Sequence, residues 1–438
     1  AHCNLGSILR ELGKLKEAES STHKAIEIKP DFSNAHFNLG RILRDLGKEK
    51  DAIKHYNLAL EKKPNNISLY INSKFNFSKI MKDISQIEIE RENYKKQIQI
   101  LKDETNLEYK TDEIFQTNIF YLPYHNMSDD KVILEELSNT ISKINGLVVK
   151  DFSIDKNINL NSKNDNLKVG ICSEFLRPSH VVGNLYMKVL LDLQKTDLEI
   201  IIYVPPGMKQ FADNENLKKA FKRIIYLPKS PINAQKRIIK DNLDILFYTD
   251  IGMSNYTYIL ALSRLALIQV NSLGHTNTSG IKNMDYFITS DIEPIESNKN
   301  FTERLVRFSR LPFNYSTPII NESKIKNKHI INSEKYFNIG LMQTLFKLHP
   351  DYDEILVKIL KEIPQSRIVI VKDKLHSVTE RLKDRWRKKN KSLLQRSIFL
   401  NEMSNNDFLN IVKNCDIVLD PLYYGSGNTF YESMAFGT

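Results

Sequence analysis

A repeat of 34 residues opens the chain and restricts its folding more than any other feature. The segment AHCNLG at residues 1–6 recurs as AHFNLG at residues 35–40. The same offset pairs Ala18 with Ala52, Ala25 with Ala59 and Pro30 with Pro64. Small residues at fixed places let two helices pack closely, and a proline ends the second helix. The pattern predicts an α-solenoid of paired antiparallel helices.

The period and the positions of the small residues are typical of tetratricopeptide repeats. We place two repeats at residues 1–66 and a degenerate third that reaches about residue 80. Helical spacing continues through residues 67–112, which we interpret as a capping and linking region. Because a solenoid needs about three repeats to be stable, we expect the chain to be truncated before Ala1. We also expect a truncation after Thr438, which follows a glycine in a helical pattern.

From residue 167 onward, short apolar segments alternate with helical stretches. This alternation predicts parallel sheets covered by helices on both faces. A polar stretch around residues 312–334 separates two such doubly wound domains, at 113–320 and, incomplete, at 333–438. The predicted strands are 167–172, 198–204, 224–227, 245–248, 267–270, 286–289, 336–341, 366–371, 397–400 and 416–419. A cleft between the two domains would hold a ligand at the carboxyl ends of the strands.

Composition excludes several classes of protein. The 438 residues are 41% hydrophobic and 26% charged, which fits a globular chain. No apolar run approaches the roughly 18 residues of a membrane span. Three widely separated cysteines form neither a disulfide framework nor a metal site, so we expect a cytoplasmic protein. The net charge of +10 is scattered without a recognised nucleic-acid module, and we predict no nucleic-acid partner.

A glycine-rich turn at residues 425–429, Gly-Ser-Gly-Asn-Thr, follows a predicted strand and begins a predicted helix. This arrangement directs backbone N–H groups and the positive end of the helix dipole at one point, where an anion is stabilised. We expect Gly427, Asn428 and Thr429 to bind a diphosphate. An ordinary capped turn remains the alternative reading, since the segment matches neither a dinucleotide-binding nor a P-loop motif.

Three further strand ends carry polar candidates. Lys347 follows a strand of the second domain and could neutralise a leaving phosphate. The loop from His275 to Gly280 offers hydroxyl and N–H groups. Glu174 and His180 follow the first strand and are candidate proton acceptors. A solvated lysine, a structural turn and satisfied structural side chains are the respective alternatives. The sequence shows no metal-ligand cluster, and we expect neither a metal nor another cofactor.

Taken together, these segments resemble the family of protein O-linked N-acetylglucosamine transferases and SPINDLY proteins, and its bacterial branch in particular. The resemblance rests on the repeats and on four stretches: LIQVNSLGHTNTSGIKNMDYFITSD, FTERLVRFSRLP, LMQTLFKLHPDYD and DIVLDPLYYGSGNTFYESMAFGT. It implies a GT-B-type glycosyltransferase with two Rossmann-like domains. It also implies that the repeats recruit acceptor proteins.

The resemblance assigns further roles. Lys347 matches the lysine at the sugar-nucleotide diphosphate, and Glu432 matches the acidic residue at the nucleotide ribose. Phe408 stands where animal enzymes place a histidine against the uracil, after Met403. His125 matches a weaker bacterial segment. The donor-binding set is Thr344, Lys347, Met403, Phe408, Gly427, Asn428, Thr429 and Glu432. The loop beside the diphosphate and the sugar is His275, Thr276, Asn277 and Thr278, and the catalytic candidates are Lys347, Glu174 and His180.

The function expected from this resemblance is transfer of N-acetylglucosamine from UDP-N-acetylglucosamine to Ser or Thr of proteins. A SPINDLY-type transferase that uses GDP-fucose is one alternative, because Asn277-Thr278 resembles the SPINDLY loop. A repeat scaffold with a degenerate transferase domain is another, because the spacing between Glu174 and His180 departs from the family pattern.

Overall fold

The N-terminal third of the protein is helical. The computed structural model describes residues 1–104, 106–109, 114–149, 166–177, 180–208, 215–325, 331 and 335–438. Four helices form the two expected repeats: His2–Glu11, Leu15–Ile28, Ser33–Asp45 and Glu49–Lys62. A Cβ atom added to Gly40 would lie 2.6 Å from the ring of Tyr56. Glycine is therefore required where the two helices of the second repeat approach each other.

The linking region is less regular than its helical spacing in the sequence predicts, because the predicted third repeat supplies one helix instead of two. Helix Ile67–Lys74 is followed by residues 75–83 without helix, then by the long helix Ile84–Asp103, the 3₁₀ helix Ile119–His125 and helix Asp130–Ile141. Arg91, buried in the long helix, binds Asp130 with 2.7 Å between Nη2 and Oδ1. Residues 105 and 110–112 of the predicted linker lie outside the described residues.

The first α/β domain contains a parallel sheet of seven strands. Their bounds are β1 Lys168–Cys172, β2 Glu199–Val204, β3 Arg223–Tyr226, β4 Leu243–Tyr248, β5 Ala266–Ser272, β6 Tyr286–Ser290 and β7 Arg304–Phe308. The order is β3-β2-β1-β4-β5-β6-β7. Among the residues described for this domain, the helices are Val181–Leu193, Glu215–Ala220, Pro231–Ile239 and Asn255–Ala261, with the 3₁₀ helix Ile295–Asn300. The chain changes direction across the sheet between β1 and β4.

Strand β7 was missed in the sequence because its charged residues, Arg304 and Arg307, interrupt the apolar pattern. It is one of the two edge strands of the sheet, and β6 is its neighbour. An edge strand tolerates exposed charge, and charge there also discourages pairing with other chains.

The second α/β domain has a parallel sheet of four strands in the order β10-β9-β8-β11. The strands are β8 Phe337–Leu341, β9 Ser366–Val371, β10 Ser397–Leu400 and β11 Ile417–Val418. The helices are Tyr352–Glu362, His376–Lys389, Lys391–Gln395, Asn405–Lys413 and Asn428–Phe436, with 3₁₀ turns at Glu322–Lys324 and Leu345–Lys347. The predicted fold class, a helical solenoid followed by two doubly wound domains, is confirmed.

The repeats and the segment after them contact the second α/β domain. Glu49 of the second repeat binds Arg381, with 2.6 Å between Oε2 and Nη2. Arg385 on the same helix donates from Nη1 to the carbonyl oxygen of Met81 at 2.9 Å. Ile80 packs into the apolar core of this domain. The helical part therefore does not stand apart from the sheets.

None of the helices within the described ranges combines the length and the apolar character needed to cross a lipid bilayer.

Candidate active site

A cleft of about 1370 Å³ lies where the carboxyl ends of the two sheets face each other. Loops after β5 and β6 form one wall, and loops after β8, β9 and β11 form the other. The second repeat and residues 116–124 close one end. In the second domain, β8 lies between β9 and β11, so the loops after β8 and β11 leave the sheet at the point where the strand order reverses. This is the position at which doubly wound sheets bind ligands.

Lys347 lies in the 3₁₀ turn after β8 and lines this cleft. Its Nζ donates to the carbonyl oxygens of Gly425 at 3.0 Å and Ser426 at 3.4 Å. Burial lowers the pKa of Lys347 to about 8. Within the described part of the chain, no carboxylate forms an ion pair with this ammonium group. Lys347 is therefore a half-buried cation held by neutral groups, which suits it to receive an anion.

The glycine-rich turn lies beside Lys347. Gly427 has φ 63°, a left-handed conformation that favours glycine, and it begins the helix Asn428–Phe436. The first backbone N–H groups of a helix have no intrahelical acceptor, and the residues at the start of this helix, Gly427, Asn428 and Thr429, line the cleft. The side-chain oxygen Oδ1 of Asn428 is buried and has no partner among the described residues.

Glu432 lies one turn into the same helix and lines the cleft. Asn428 donates from Nδ2 to Oε1 of Glu432 at 2.6 Å. Burial raises the pKa of Glu432 to about 7, although the hydrogen bond from Asn428 acts in the opposite direction. The carboxyl group is thus poised between its charged and neutral forms near neutral pH.

The remaining residues predicted to bind the sugar nucleotide fall into two groups. Thr344 and Phe408 line the cleft. Met403 does not, because it packs against the apolar cluster that contains Ile411 and Val412. Met403 consequently supports the wall behind Phe408 instead of facing the cleft.

The candidate residues of the loop after β5 also fall into two groups. His275 and Thr276 line the cleft. Asn277 turns away and donates to Oδ2 of Asp130 at 3.1 Å. Thr278 is buried and donates from Oγ1 to Oε2 of Glu303 at 2.6 Å. The second half of the loop therefore anchors the first half to the scaffold.

The two candidate proton acceptors differ in their access to the cleft. Glu174 does not line it: burial raises its pKa, and its carboxyl hydrogen-bonds Ser254. His180 does line it and stacks on Phe175 with ring centroids 4.4 Å apart. Nδ1 of His180 accepts from the N–H of Val182 at 3.3 Å, which leaves the imidazole proton on Nε2. In this orientation the ring can donate a hydrogen bond but cannot accept a proton at Nε2.

His125 lies behind the cleft wall. It is buried, its ring meets Phe77 edge-on at 4.9 Å, and burial lowers its pKa to about 3. A neutral, packed imidazole in this place supports the wall.

Sequence reasoning missed several residues that line or support the cleft. Phe120, Tyr124 and Tyr424 bring aromatic rings to it, and Arg44 reaches it from the second repeat. Beneath it, Oδ2 of Asp250 accepts from the N–H of Glu174 at 2.7 Å, joining the ends of β1 and β4. Burial raises the pKa of Asp250 to about 7. The signal that could have found Asp250 is its position two residues after the predicted strand 245–248.

Across the described ranges, no group of three or more histidine, cysteine, aspartate or glutamate side chains has the geometry to hold a metal ion.

Comparison with known families matches the chain in three places. The profile described as glycosyl transferase family 41 matches residues 90–338. Tetratricopeptide repeat profiles match residues 1–32 and 33–66. The predicted repeats are thereby confirmed.

Curated relatives resemble part of the chain. A UDP-glucose:protein N-beta-glucosyltransferase of Actinobacillus pleuropneumoniae serotype 5b is 26% identical over 206 residues, which cover 46% of this chain and 32% of that protein. A probable UDP-N-acetylglucosamine–peptide N-acetylglucosaminyltransferase SPINDLY of Oryza sativa subsp. japonica is 27% identical over 202 residues, 45% of this chain and 22% of that protein. The chain thus spans a third or less of these relatives.

Among solved structures, a mutant of the Thermobaculum terrenum O-GlcNAc transferase superposes with a TM-score of 0.68. The match covers 100% of this chain and 81% of the other, at 19% sequence identity. At this identity the likeness concerns the fold.

Proposed function

The chain belongs to glycosyl transferase family 41, and from this premise we propose that it transfers a sugar from a nucleoside-diphosphate donor to a side chain of an acceptor protein. The observation that carries the proposal is the position of Lys347. Its ammonium group lies beside the N-terminus of the helix Asn428–Phe436, inside the cleft, and forms no ion pair with any described carboxylate. A diphosphate would supply the missing negative charge.

The chemistry follows from this charge arrangement. A nucleophile on the acceptor attacks the anomeric carbon of the donor while the bond from that carbon to the diphosphate oxygen breaks. The proton that the nucleophile loses passes to the departing diphosphate or to water. Negative charge then grows on the diphosphate. Lys347 and the backbone N–H groups at Asn428 and Thr429 stabilise that charge, because they are already oriented and partly shielded from water. Glu432 would accept hydrogen bonds from the ribose, and Phe408 would stack on the base.

We propose UDP-N-acetylglucosamine as the donor and a Ser or Thr hydroxyl as the acceptor. The resemblance to O-GlcNAc transferases and SPINDLY proteins supports this choice. The repeats would bind the acceptor protein, since their second unit reaches the cleft through Arg44. A cytoplasmic location, expected from the three widely separated cysteines, belongs to the same proposal.

A second candidate is transfer of glucose from UDP-glucose to a side-chain amide. It is favoured by the name of the Actinobacillus pleuropneumoniae relative, a UDP-glucose:protein N-beta-glucosyltransferase. The two candidates share the uridine diphosphate and differ in the sugar and in the acceptor atom.

Calorimetric titration with UDP, UDP-N-acetylglucosamine, UDP-glucose and GDP-fucose tests these candidates. We expect the uridine nucleotides to bind and Lys347→Ala to weaken UDP binding by at least tenfold, because a charge-assisted contact is lost. Lys374→Ala is the matched control: Lys374 lines the same cleft but pairs with Glu402 at 2.9 Å, so binding should change less than twofold.

A second assay identifies the transferred sugar: it measures which donor releases UDP or GDP in the presence of acceptor peptides. Turnover of GDP-fucose alone would make the protein a fucosyltransferase of SPINDLY type. If no nucleotide binds to the folded wild-type protein, the transferase proposal is wrong and a scaffold function replaces it.

A further inference from the structure

Tyr424 reaches across the cleft from the second α/β domain to the first. It precedes the glycine-rich turn and is positioned by an unusual backbone, since Tyr423 before it has φ 74°. Left-handed conformations are uncommon outside glycine and cluster at functional sites. The ring of Tyr424 packs against Tyr124 with centroids 4.5 Å apart. The phenol group thereby lies at the loop that carries His275 and Thr276.

The phenol oxygen of Tyr424 is surrounded by donors. Oγ1 of Thr276 donates to it at 2.9 Å. Burial raises the pKa of Tyr424, and hydrogen bonds with the backbone of Thr276 and the side chain of Tyr124 act in the opposite direction. A phenol has one proton to donate. The remaining polar neighbour is Nδ1 of His275, at 3.4 Å.

His275 has an environment that fixes its protonation. The side chain is 4% exposed, and its ring stacks on Phe120 at 4.9 Å. Burial, with a further contribution from the nearby charge of Lys347, lowers the pKa of His275 to about 3. The imidazole is therefore neutral and carries a single proton. If Nδ1 accepts the proton of Tyr424, the imidazole proton resides on Nε2.

Nε2 of His275 is buried and has no hydrogen-bond partner among the described residues. A buried donor without an acceptor is costly, and its partner is commonly a ligand or a water molecule. His275 and Lys347 both line the cleft, and Nζ of Lys347 lies 5.2 Å from the centroid of the Tyr424 ring. A ligand group that satisfies both is an anionic oxygen.

We propose that Tyr424 is a positioning residue that holds His275 in the Nε2–H tautomer, and that this N–H donates to a phosphate oxygen of the bound donor. The second half rests on the proposed function; the first does not. Tyr424 itself forms its hydrogen bonds with the loop and not with the reacting atoms. Its role also joins the two α/β domains, since the donor site is complete only when both contribute.

Nitrogen-15 NMR of the histidine-labelled full chain tests the tautomer, because protonated and unprotonated imidazole nitrogens resonate far apart. We expect the His275 signals of the wild type to show a proton on Nε2, and those of Tyr424→Phe to shift toward a mixture of tautomers. Tyr124→Phe is the control, since it leaves in place the hydrogen bond that Tyr424 donates to Nδ1 of His275. A wild-type proton on Nδ1, or identical spectra for wild type and Tyr424→Phe, would overturn the proposal.

Titration with UDP tests the phosphate contact. We expect Tyr424→Phe to bind UDP roughly two- to fivefold more weakly, because affinity falls in proportion to the fraction of His275 that keeps the Nε2–H tautomer. His275→Gln, whose amide N–H can replace Nε2–H, should bind better than His275→Asn, whose shorter side chain cannot. Equal binding by these two folded variants would refute the contact. Failure of UDP to bind a wild type with the expected spectrum would instead refute the proposed function.

Discussion

Asn428 and Glu432 face each other across one helical turn, with 2.6 Å between Nδ2 and Oε1. The hydrogen bond orients the amide of Asn428 so that its oxygen remains without a partner among the described residues. It also holds a carboxyl group whose pKa burial raises to about 7. A buried carboxyl group with a raised pKa lowers the stability of the ligand-free protein at pH values where it is ionised.

Glu432→Gln should therefore stabilise the ligand-free protein at pH 8. In the unfolded chain Glu432 ionises near its ordinary pKa, whereas in the folded protein it stays protonated up to about 7. Stability is consequently lost as pH rises between these values. The variant should gain roughly 1–3 kcal/mol at pH 8, after allowance for solvent screening, and much less at pH 5. Urea unfolding at both pH values measures the gain, and a pH-independent difference would contradict it.

Binding of UDP should weaken as pH rises through about 8. The pKa of Lys347 is lowered to about 8 in the ligand-free protein, so above that value the protein must take up a proton when the diphosphate binds. Each further pH unit should reduce affinity by up to about tenfold. Titration calorimetry between pH 7 and 9 measures this slope. Lys347→Arg keeps its charge over the whole range, and its affinity should remain flat.

Arg385→Ala should destabilise the protein by about 3–5 kcal/mol, because removing one partner of a buried ion pair leaves the other uncompensated. Arg385 is 3% exposed and donates to Asp353 at 2.8 Å. Arg387, two residues later, forms an exposed ion pair with Asp384. Arg387→Ala should cost less than about 1 kcal/mol. Similar losses in chemical denaturation would show that Arg385 is not a structural centre.

Gly40→Ala should destabilise the protein by about 1–3 kcal/mol through overpacking. The added methyl group would lie 2.6 Å from the ring of Tyr56. Tyr56→Leu removes that ring and so relieves the clash. In a double-mutant cycle, the cost of Gly40→Ala should therefore be smaller in the Tyr56→Leu background. Strict additivity of the two changes would show that the ring is not the obstacle.

The sequence was most informative where local rules decide the structure. The repeat period predicted the paired helices, and apolar runs predicted strands such as Ser366–Val371, which the structure reproduces with the same ends. Strand β7 escaped because packing at the sheet edge, and not its own residues, makes it a strand. The local sequence pattern does not show which neighbouring strand a charged segment will pair with.

The cleft was predictable in part for a related reason. Lys347 and the turn at residues 425–429 lie together because parallel strands bring their carboxyl ends to one edge. Tyr424 and Arg44 could not be placed, since each reaches the cleft across a domain boundary. Their contribution depends on tertiary contacts between distant segments, for which one sequence carries no direct signal. The division of the loop at residues 275–278 depends likewise on Asp130 and Glu303.

The ion pair between Glu49 and Arg381 couples the position of the repeats to that of the second α/β domain. It ties the second repeat to the helix His376–Lys389, while Arg44 of the same repeat donates to Gln116 at 2.7 Å, in the segment that closes one end of the cleft. A hinge motion that parts the two sheets must stretch the Glu49–Arg381 ion pair or carry the repeat with it. A bound protein that displaces the repeats would therefore change the width of the cleft.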